Sequence, residues 1–96
     1  MYRLAADQGF SRGQAGLAAM YYLGSGVSQN YKEAARLFRL AADQGLPDGQ
    51  LNLGVLYYNG WGVAPNRSEG LRFMRLAARQ GNELAQQNLR DIHQNW

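Results

Sequence analysis

The chain has 96 residues, of which 46% are hydrophobic, enough to form the core of one domain and too many for a disordered segment. It contains no cysteine, which excludes a disulfide framework and a thiolate metal site. The net charge of +3 is modest, and no apolar stretch approaches the roughly 20 residues that span a bilayer, so neither a nucleic-acid partner nor a membrane span is expected.

The first half of the chain predicts helices that are separated by glycine-containing turns. Residues 2–8 are typical of the end of a helix that stops at Gly9, and apolar residues at helical spacing predict a first complete helix over residues 12–23. Gly24 suits the left-handed position that ends a helix, and Gly26 allows the chain to reverse.

The next helix carries both a start signal and a stop signal. Asn30, followed three residues later by Glu33, predicts a capped helix start, because the asparagine oxygen accepts a free backbone amide and the glutamate suits the positive helix end. Gly45 ends this helix, and Pro47 suits the first turn of the following one.

The second half repeats this order. Residues 48–59 predict a helix, Asn66 caps the next one, Gly81 stops it, and residues 83–95 predict a final helix.

Two separate motifs recur with one period. Ala5-Ala6-Asp7-Gln8-Gly9 returns twice, as Ala41 to Gly45 and Ala77 to Gly81, at intervals of 36 residues, and Tyr21-Tyr22-Leu23-Gly24 returns as Tyr57-Tyr58-Asn59-Gly60 at the same interval. A shared period predicts an all-α solenoid of stacked helical hairpins, with about two and a half repeats. We divide this single domain into the tail of a second helix (1–9), repeat one (10–45), repeat two (46–81) and a terminal capping helix (82–96).

These motifs resemble the Sel-one-like repeat family, a relative of the tetratricopeptide repeat. The similarity is carried by Leu53-Gly54, Tyr57, Gly60-Trp61-Gly62-Val63 and the Ala-Ala-x-x-Gly ending, and it covers nearly the whole chain. The resemblance implies a right-handed superhelix in which the first helix of each hairpin (helix A) lies on the concave side and the second (helix B) lies outside. Members of the family commonly serve as adaptors, many of them bacterial.

Small residues predict a close contact between the two helices of a hairpin. The family glycine of helix A is Gly54 in repeat two and Ala18 in repeat one, and its expected partners in helix B are Gly70 and Ala34. Because repeat one carries alanine at both places, we expect Gly70→Ala to stabilise the protein, and Gly54→Leu to destabilise it by overpacking. Arg90 fills the same position in the last helix, which favours a true end of the stack there.

The resemblance also implies a binding groove on the helix-A surface. Carried over by their offset from the Leu-Gly pair, the groove residues come from all three helices A. They are Arg12, Ala15, Ala19, Tyr22 and Leu23 in the first, Asp48, Leu51, Val55, Tyr58 and Asn59 in the second, and Leu84, Gln87, Asp91 and Gln94 in the last. Tyr22 and Tyr58 are large and amphipathic, which favours binding, although they could instead pack between helices. The predicted partner is an apolar or helical segment of another protein.

Two single residues are further candidates. Trp61 lies between two turn glycines, where it either anchors a partner at the groove rim or folds back over its own hairpin. His93, the only histidine, follows Tyr57 by 36 residues, so we expect it to replace that structural tyrosine. Without cysteine or a second histidine, a metal or catalytic role is not expected.

The periodic arginines of helix B suggest a solvated outer face. Arg36 and Arg72 each follow a glutamate by three residues, which favours local ion pairs, and Arg39 and Arg75 repeat with the same period. A basic face for nucleic acid is the less favoured alternative.

Signatures of enzymes are missing, and no catalytic residue or cofactor is predicted. A β-lactam-type hydrolase, as suggested for cysteine-rich relatives, is disfavoured because the cysteines are absent. Homodimerisation through the open N-terminal end is a further alternative. As given, the chain is expected in the cytoplasm, or in the periplasm if an upstream signal segment has been removed.

Overall fold

A computed structural model describes the backbone of residues 2–96 and the side chains of residues 12–96. Within this part of the chain the regular structure is entirely helical, and consecutive helices pack against each other. The helices are α1 (Tyr2–Leu23), α2 (Tyr31–Asp43), α3 (Pro47–Asn59), α4 (Arg67–Arg79) and α5 (Glu83–Asp91). The predicted all-α repeat fold is therefore confirmed, and none of these helices is long and apolar enough to cross a bilayer.

The predicted helix signals act as expected in both hairpins. The side chain of Asn30 accepts a hydrogen bond from the amide of Glu33 at 3.0 Å, and Asn66 does the same for Glu69 at 3.0 Å. Each cap thus satisfies one of the four amides that a helix start leaves without a partner. At the other helix ends Gly60 has a φ of +72°, the left-handed conformation in which glycine lacks the steric penalty of other residues.

The predicted break at Gly9 is wrong for the described backbone, because α1 runs without interruption from Tyr2 to Leu23. A glycine inside a helix costs only about 1 kcal/mol relative to alanine, so it does not end a helix by itself. Gly45, which does end α2, is followed by α3, which packs back onto α2. The side chains of Tyr2 and Leu4, expected to be poorly sheltered, lie outside the described side chains.

The last helix ends four residues earlier than predicted, at Asp91. His93 adopts a left-handed conformation with a φ of +60°, and two bonds close the turn: His93 N–H to the Arg90 carbonyl (3.0 Å) and Gln94 N–H to the Leu89 carbonyl (2.7 Å). This is the Schellman ending of a helix, formed here by histidine in the position that glycine usually takes. The helical pattern of residues 92–95 therefore misled the sequence prediction.

The described core consists of two clusters, and each joins several successive helices. One centres on Phe38, Leu53 and Leu56 between α1, α2 and α3 and reaches Phe73 on α4. The other gathers Met74 and Leu89 with residues of α3, α4 and α5. Complete burial of one such side chain contributes about 1.5–3 kcal/mol. Because α3 takes part in both clusters, it couples the two hairpins.

Gly54 and Gly70 meet as predicted, but more closely than two alanines could. A Cβ atom built on Gly70 would lie 2.8 Å from the carbonyl oxygen of Gly54 and 2.9 Å from the amide nitrogen of Tyr58. Both are backbone atoms, so the overlap cannot be relieved by a side-chain rotation. The expectation that Gly70→Ala stabilises the protein is therefore wrong, since α3 and α4 approach at a distance that the Ala18/Ala34 pair of repeat one does not require.

Candidate functional site

The helix-A face, which we define as the surface formed by α1, α3 and α5, has a depression at each junction of two of these helices. A further depression on α5 alone includes the predicted residues Leu84 and Gln87. Of the two at the junctions, the first lies between α1 and α3 and has a volume of about 310 Å³. Its lining includes the predicted residues Arg12, Ala15, Ala19 and Asp48. Small side chains from α1 thus form one wall of this depression.

The second depression lies between α3 and α5, with a volume of about 250 Å³. Four of its lining residues were predicted from the sequence, namely Val55, Tyr58, Asn59 and Asp91. Met74 and Ile92 add apolar surface, and Asn88 adds an amide. Offset reasoning missed Met74 because it belongs to a helix B, and Ile92 because it lies just beyond α5. Asn88 lies on α5, at an offset that the predicted set does not include.

One line of residues on α3 connects the two depressions. Asp48, Asn52, Val55 and Asn59 follow each other at intervals of three or four residues, so they lie on one side of the helix. The amide groups of Asn52 and Asn59 donate to the carbonyls of Asp48 and Val55, each at 2.9 Å. These bonds hold both asparagines along the helix and leave their side-chain oxygens as acceptors.

The carboxylates on this face have no cationic partner among the described residues. Asp48 accepts a hydrogen bond from Asn82 at 3.2 Å, and Asp91 accepts one from Gln87 at 2.8 Å. The ion pairs found in the described part of the chain are both on helices α2 and α4. The linings of the two depressions therefore contain two hydrogen-bonded but unpaired carboxylates, and Arg12 adds a positive charge to the first.

Two predicted groove residues lie elsewhere. Leu51 is only 3% exposed and belongs to the second core cluster, so it cannot contact a partner. Burial follows from its position on α3, which faces α4 and α5 on that side. Leu23, at the last position of α1, is largely exposed but lies outside both depressions.

Tyr22 and Trp61 meet in an aromatic cluster that links the two hairpins. The Trp61 ring stacks on Tyr31 at a centroid distance of 5.5 Å and lies 6.3 Å from Tyr22. Burial, and to a smaller extent Tyr31, raises the pKa of the Tyr22 phenol above its ordinary value of 10.0. Gly62 permits this approach, since a Cβ atom there would collide with the backbone of Tyr31. Trp61 therefore folds over the preceding hairpin, not over its own.

The periodic arginines have two different roles. Arg36 and Arg72 pair with Glu33 and Glu69, as predicted. Arg39 instead donates to the hydroxyl of Tyr57 on the next helix A, with its guanidinium 5.5 Å from the ring centroid.

Arg75 makes the corresponding connection one repeat later. It donates to the side chain of Gln94 at 2.7 Å and to the carbonyl of Asn95 at 2.9 Å. Sequence reasoning grouped it with a solvated face, but it joins α4 to the segment after α5. The period of 36 residues was the available signal, because it places Arg39 and Arg75 at equivalent positions of their repeats.

The last candidate, His93, does not take the structural place of Tyr57. It lies beyond the end of α5 and is exposed, whereas the Tyr57 ring stacks on Phe73 with a centroid distance of 6.0 Å. The shorter final helix explains this difference. Residues 12–96 contain no group of three or more His, Asp or Glu side chains that could hold a metal ion.

Comparison with known proteins gives a consistent result. A family model described as Sel1 repeat matches residues 1–10, 11–46 and 47–82. The chain is 41% identical to a protective antigen of uropathogenic Escherichia coli strains that displays an SLR fold, with a TM-score of 0.82 over 91% of this chain and 19% of that one. It is 40% identical to a Sel1 repeat protein from Oxalobacter formigenes, with a TM-score of 0.80 over 84% of this chain and 61% of the other. The chain thus spans about a fifth and about three fifths of these two proteins, and no curated protein matches the sequence significantly.

Proposed function

The chain belongs to the Sel1 repeat family, and we propose that it binds an apolar or helical segment of another protein along its helix-A face. Family membership supports a protein-interaction module in general, and Sel1 repeat proteins are generally scaffolds without enzymatic activity. The location and the chemistry of the contact are the parts that we add.

The observation that carries this proposal is the line of four α3 residues that connects the two depressions. Asp48 and Asn52 border the first depression, and Val55 and Asn59 border the second. A segment laid across α3 would place side chains in both depressions at once. One rigid segment that fills two adjacent apolar sites gains contacts at both, while the entropy lost on binding a second molecule is avoided.

The walls of the depressions favour apolar side chains held by a polar edge. Ala15, Ala19 and Val55 leave space beside a half-buried Tyr58 ring, and tyrosine provides a large contact area at a low entropy cost. The side-chain oxygens of Asn52 and Asn59 would accept hydrogen bonds from the bound segment. This arrangement is typical of small interaction sites with an apolar centre and a polar rim.

The unpaired carboxylates add a preference for positive charge. Asp48 and Asp91 border different depressions, and neither has a cation within the described residues. A lysine or arginine beside the apolar residues of the segment would pair with them. Because both carboxylates are exposed, such pairs contribute more to specificity and association rate than to affinity.

A library of random 16-residue peptides displayed on phage provides the test, with isothermal titration calorimetry of the selected peptides. We expect selected sequences to combine apolar residues with lysine or arginine. Val55→Arg should weaken their binding at least tenfold, because it places a long charged side chain at the junction of the depressions. Leu40→Arg is the matched control, since Leu40 is an exposed leucine on α2 outside both depressions, and it should leave the affinity unchanged.

Two results would contradict the proposal. Equal weakening by both arginine variants would show that peptides respond to net charge and not to this face. Peptides that bind the Val55→Arg variant with undiminished affinity would place the interaction elsewhere, and the aromatic cluster around Trp61 would be the next surface to test. Asp91→Lys separates the charge preference from the apolar contact, since it should reduce binding only of peptides that carry a basic residue.

A further inference from the structure

The described helices A carry few charges, and the sign of these charges changes across the helix-A face. Arg12 is the only charged residue of α1 within residues 12–23, and Asp48 is the only one of α3. On α5, Asp91 lines the depression between α3 and α5, whereas Glu83 and Arg90 line only the depression on α5 itself. The two junction depressions therefore have a positive group on α1 and negative groups on α3 and α5.

Arg12 and Asp48 line the same depression but do not form an ion pair. The Asp48 carboxylate instead accepts a hydrogen bond from the side-chain amide of Asn82 at 3.2 Å. Asn82 is fixed in place because it also caps α5, where its side-chain oxygen accepts a hydrogen bond from the amide of Ala85 at 2.8 Å. Asp48 is thus bonded to the start of α5 and not to α1.

The repeat explains why Arg12 lacks a corresponding partner. Positions 48 and 82 correspond to positions 12 and 46 one period earlier, and position 46 is Leu46, which lines the first depression. A leucine side chain has no hydrogen-bonding group, so the contact that Asp48 makes with Asn82 cannot form at Arg12. Within residues 12–96, Arg12 accordingly has no hydrogen bond, ion pair or ring contact.

The second depression has a different charge. Asp91 is the only charged residue among the described residues that line it. Arg67 lies close to one of its walls, with the guanidinium 5.1 Å from the centroid of the Tyr58 ring, but it does not pair with Asp91. The face of an aromatic ring attracts a guanidinium, which accounts for the position of Arg67.

We propose that the segment bound on the helix-A face is bipolar, with an acidic residue against Arg12 and a basic residue against Asp91. This inference rests on the proposed function and adds to it the order of charges along the partner. The guanidinium of Arg12 offers planar donors that match a carboxylate. The reverse order would place like charges together at both ends of the segment, which is unfavourable.

The two charges would also determine the direction in which the segment binds. Apolar depressions alone accept a segment in either direction, whereas a cation at one end and an anion at the other select one of them. Screening makes this selection local, because the Debye length is about 8 Å at physiological ionic strength. Arg12 and Asp91 therefore act on the side chains next to them, and the net charge of +3 does not set the order.

The test applies double-mutant cycles to 16-residue peptides selected on the unmodified protein, with isothermal titration calorimetry. The acidic residue of each peptide is replaced by lysine, and its affinity is measured for the unmodified protein and for Arg12→Glu. Each single change should weaken binding about threefold to tenfold, and both together should restore it, because the exposed pair forms again with exchanged charges. Replacement of the basic residue by glutamate should be restored in the same way by Asp91→Lys.

Lys32→Glu is the matched control, since Lys32 is exposed on α2 outside both depressions and the change in net charge is the same. It should not restore the binding of the lysine-substituted peptides, and equal restoration by this control would overturn the inference. Selected peptides without an acidic residue, or with one that shows no coupling to Arg12, would overturn it as well. If such peptides still bind Val55→Arg more weakly, only the charge order fails, whereas undiminished binding to Val55→Arg refutes the proposed function itself.

Discussion

Replacing Gly70 by alanine adds a single methyl group at the closest approach between α3 and α4. The new Cβ would lie 2.8 Å from the Gly54 oxygen, 2.9 Å from the Tyr58 nitrogen and 3.1 Å from the Tyr58 Cα. Three backbone atoms of α3 therefore surround it. The methyl group can be accommodated only if α3 and α4 move apart as whole helices.

Two effects of opposite sign determine the free energy of unfolding of this variant. Alanine is favoured over glycine inside a helix by about 1 kcal/mol. Overpacking of a close contact costs about 1–3 kcal/mol, and contacts with rigid backbone lie at the upper end of that range. We expect a net loss of about 1–2 kcal/mol, which corresponds to a decrease of roughly 4–15 °C in Tm for a domain of this size.

Urea denaturation followed by circular dichroism measures this difference. Gly16→Ala is the control, because Gly16 lies inside α1 and a Cβ there meets nothing within 4 Å. We expect the control to gain up to about 1 kcal/mol from helix propensity alone. If Gly70→Ala also gained stability, α3 and α4 would not approach through these glycines, and the assignment of the α3 sides would fail with them.

Three further changes test separate features. At the end of α5, His93→Gly should raise the free energy of unfolding by up to about 1 kcal/mol because glycine adopts a left-handed conformation without steric penalty, whereas the β-branched His93→Val should lower it by about 1 kcal/mol or more in the same melts. Asn66→Ala should cost about 1 kcal/mol through the lost cap on Glu69, and Asn66→Asp should retain most of the stability. The raised pKa of Tyr22 predicts a contribution to the free energy of unfolding that is complete below the ordinary pKa of 10.0 and is lost as pH rises through the folded-state pKa. Melts of Tyr22→Phe across this pH range should therefore show a smaller loss of stability than melts of the unmodified protein. An identical loss would assign the effect to another group.

The sequence predicted those features that depend on local signals repeated in both hairpins. The caps at Asn30 and Asn66 need only a side chain and an amide three residues away, so their pattern is readable without a structure. The link from Arg39 to Tyr57 joins residues 18 positions apart on different helices, and no local pattern indicates which arginine turns toward the next repeat. The continuity of α1 through Gly9 was missed because the stop signal of a helix B depends on a helix that packs back onto it.

The predicted groove residues stay at the surface where a helix has one buried side, and some of them are buried where it has two. Ala15 and Leu51 occupy the same position in successive repeats, yet Ala15 lines a depression and Leu51 is buried. α1 packs mainly against α2, whereas α3 lies between α2 and α4 and also contributes to the cluster that reaches α5. A larger part of its circumference is therefore occupied, and the surface left for a ligand narrows to the line from Asp48 to Asn59. Groove positions copied from one helix A to the next therefore overestimate the accessible surface of a helix A that has neighbours on both sides. We expect a bound segment to contact α3 only along the line from Asp48 to Asn59 and to contact a broader area of α1.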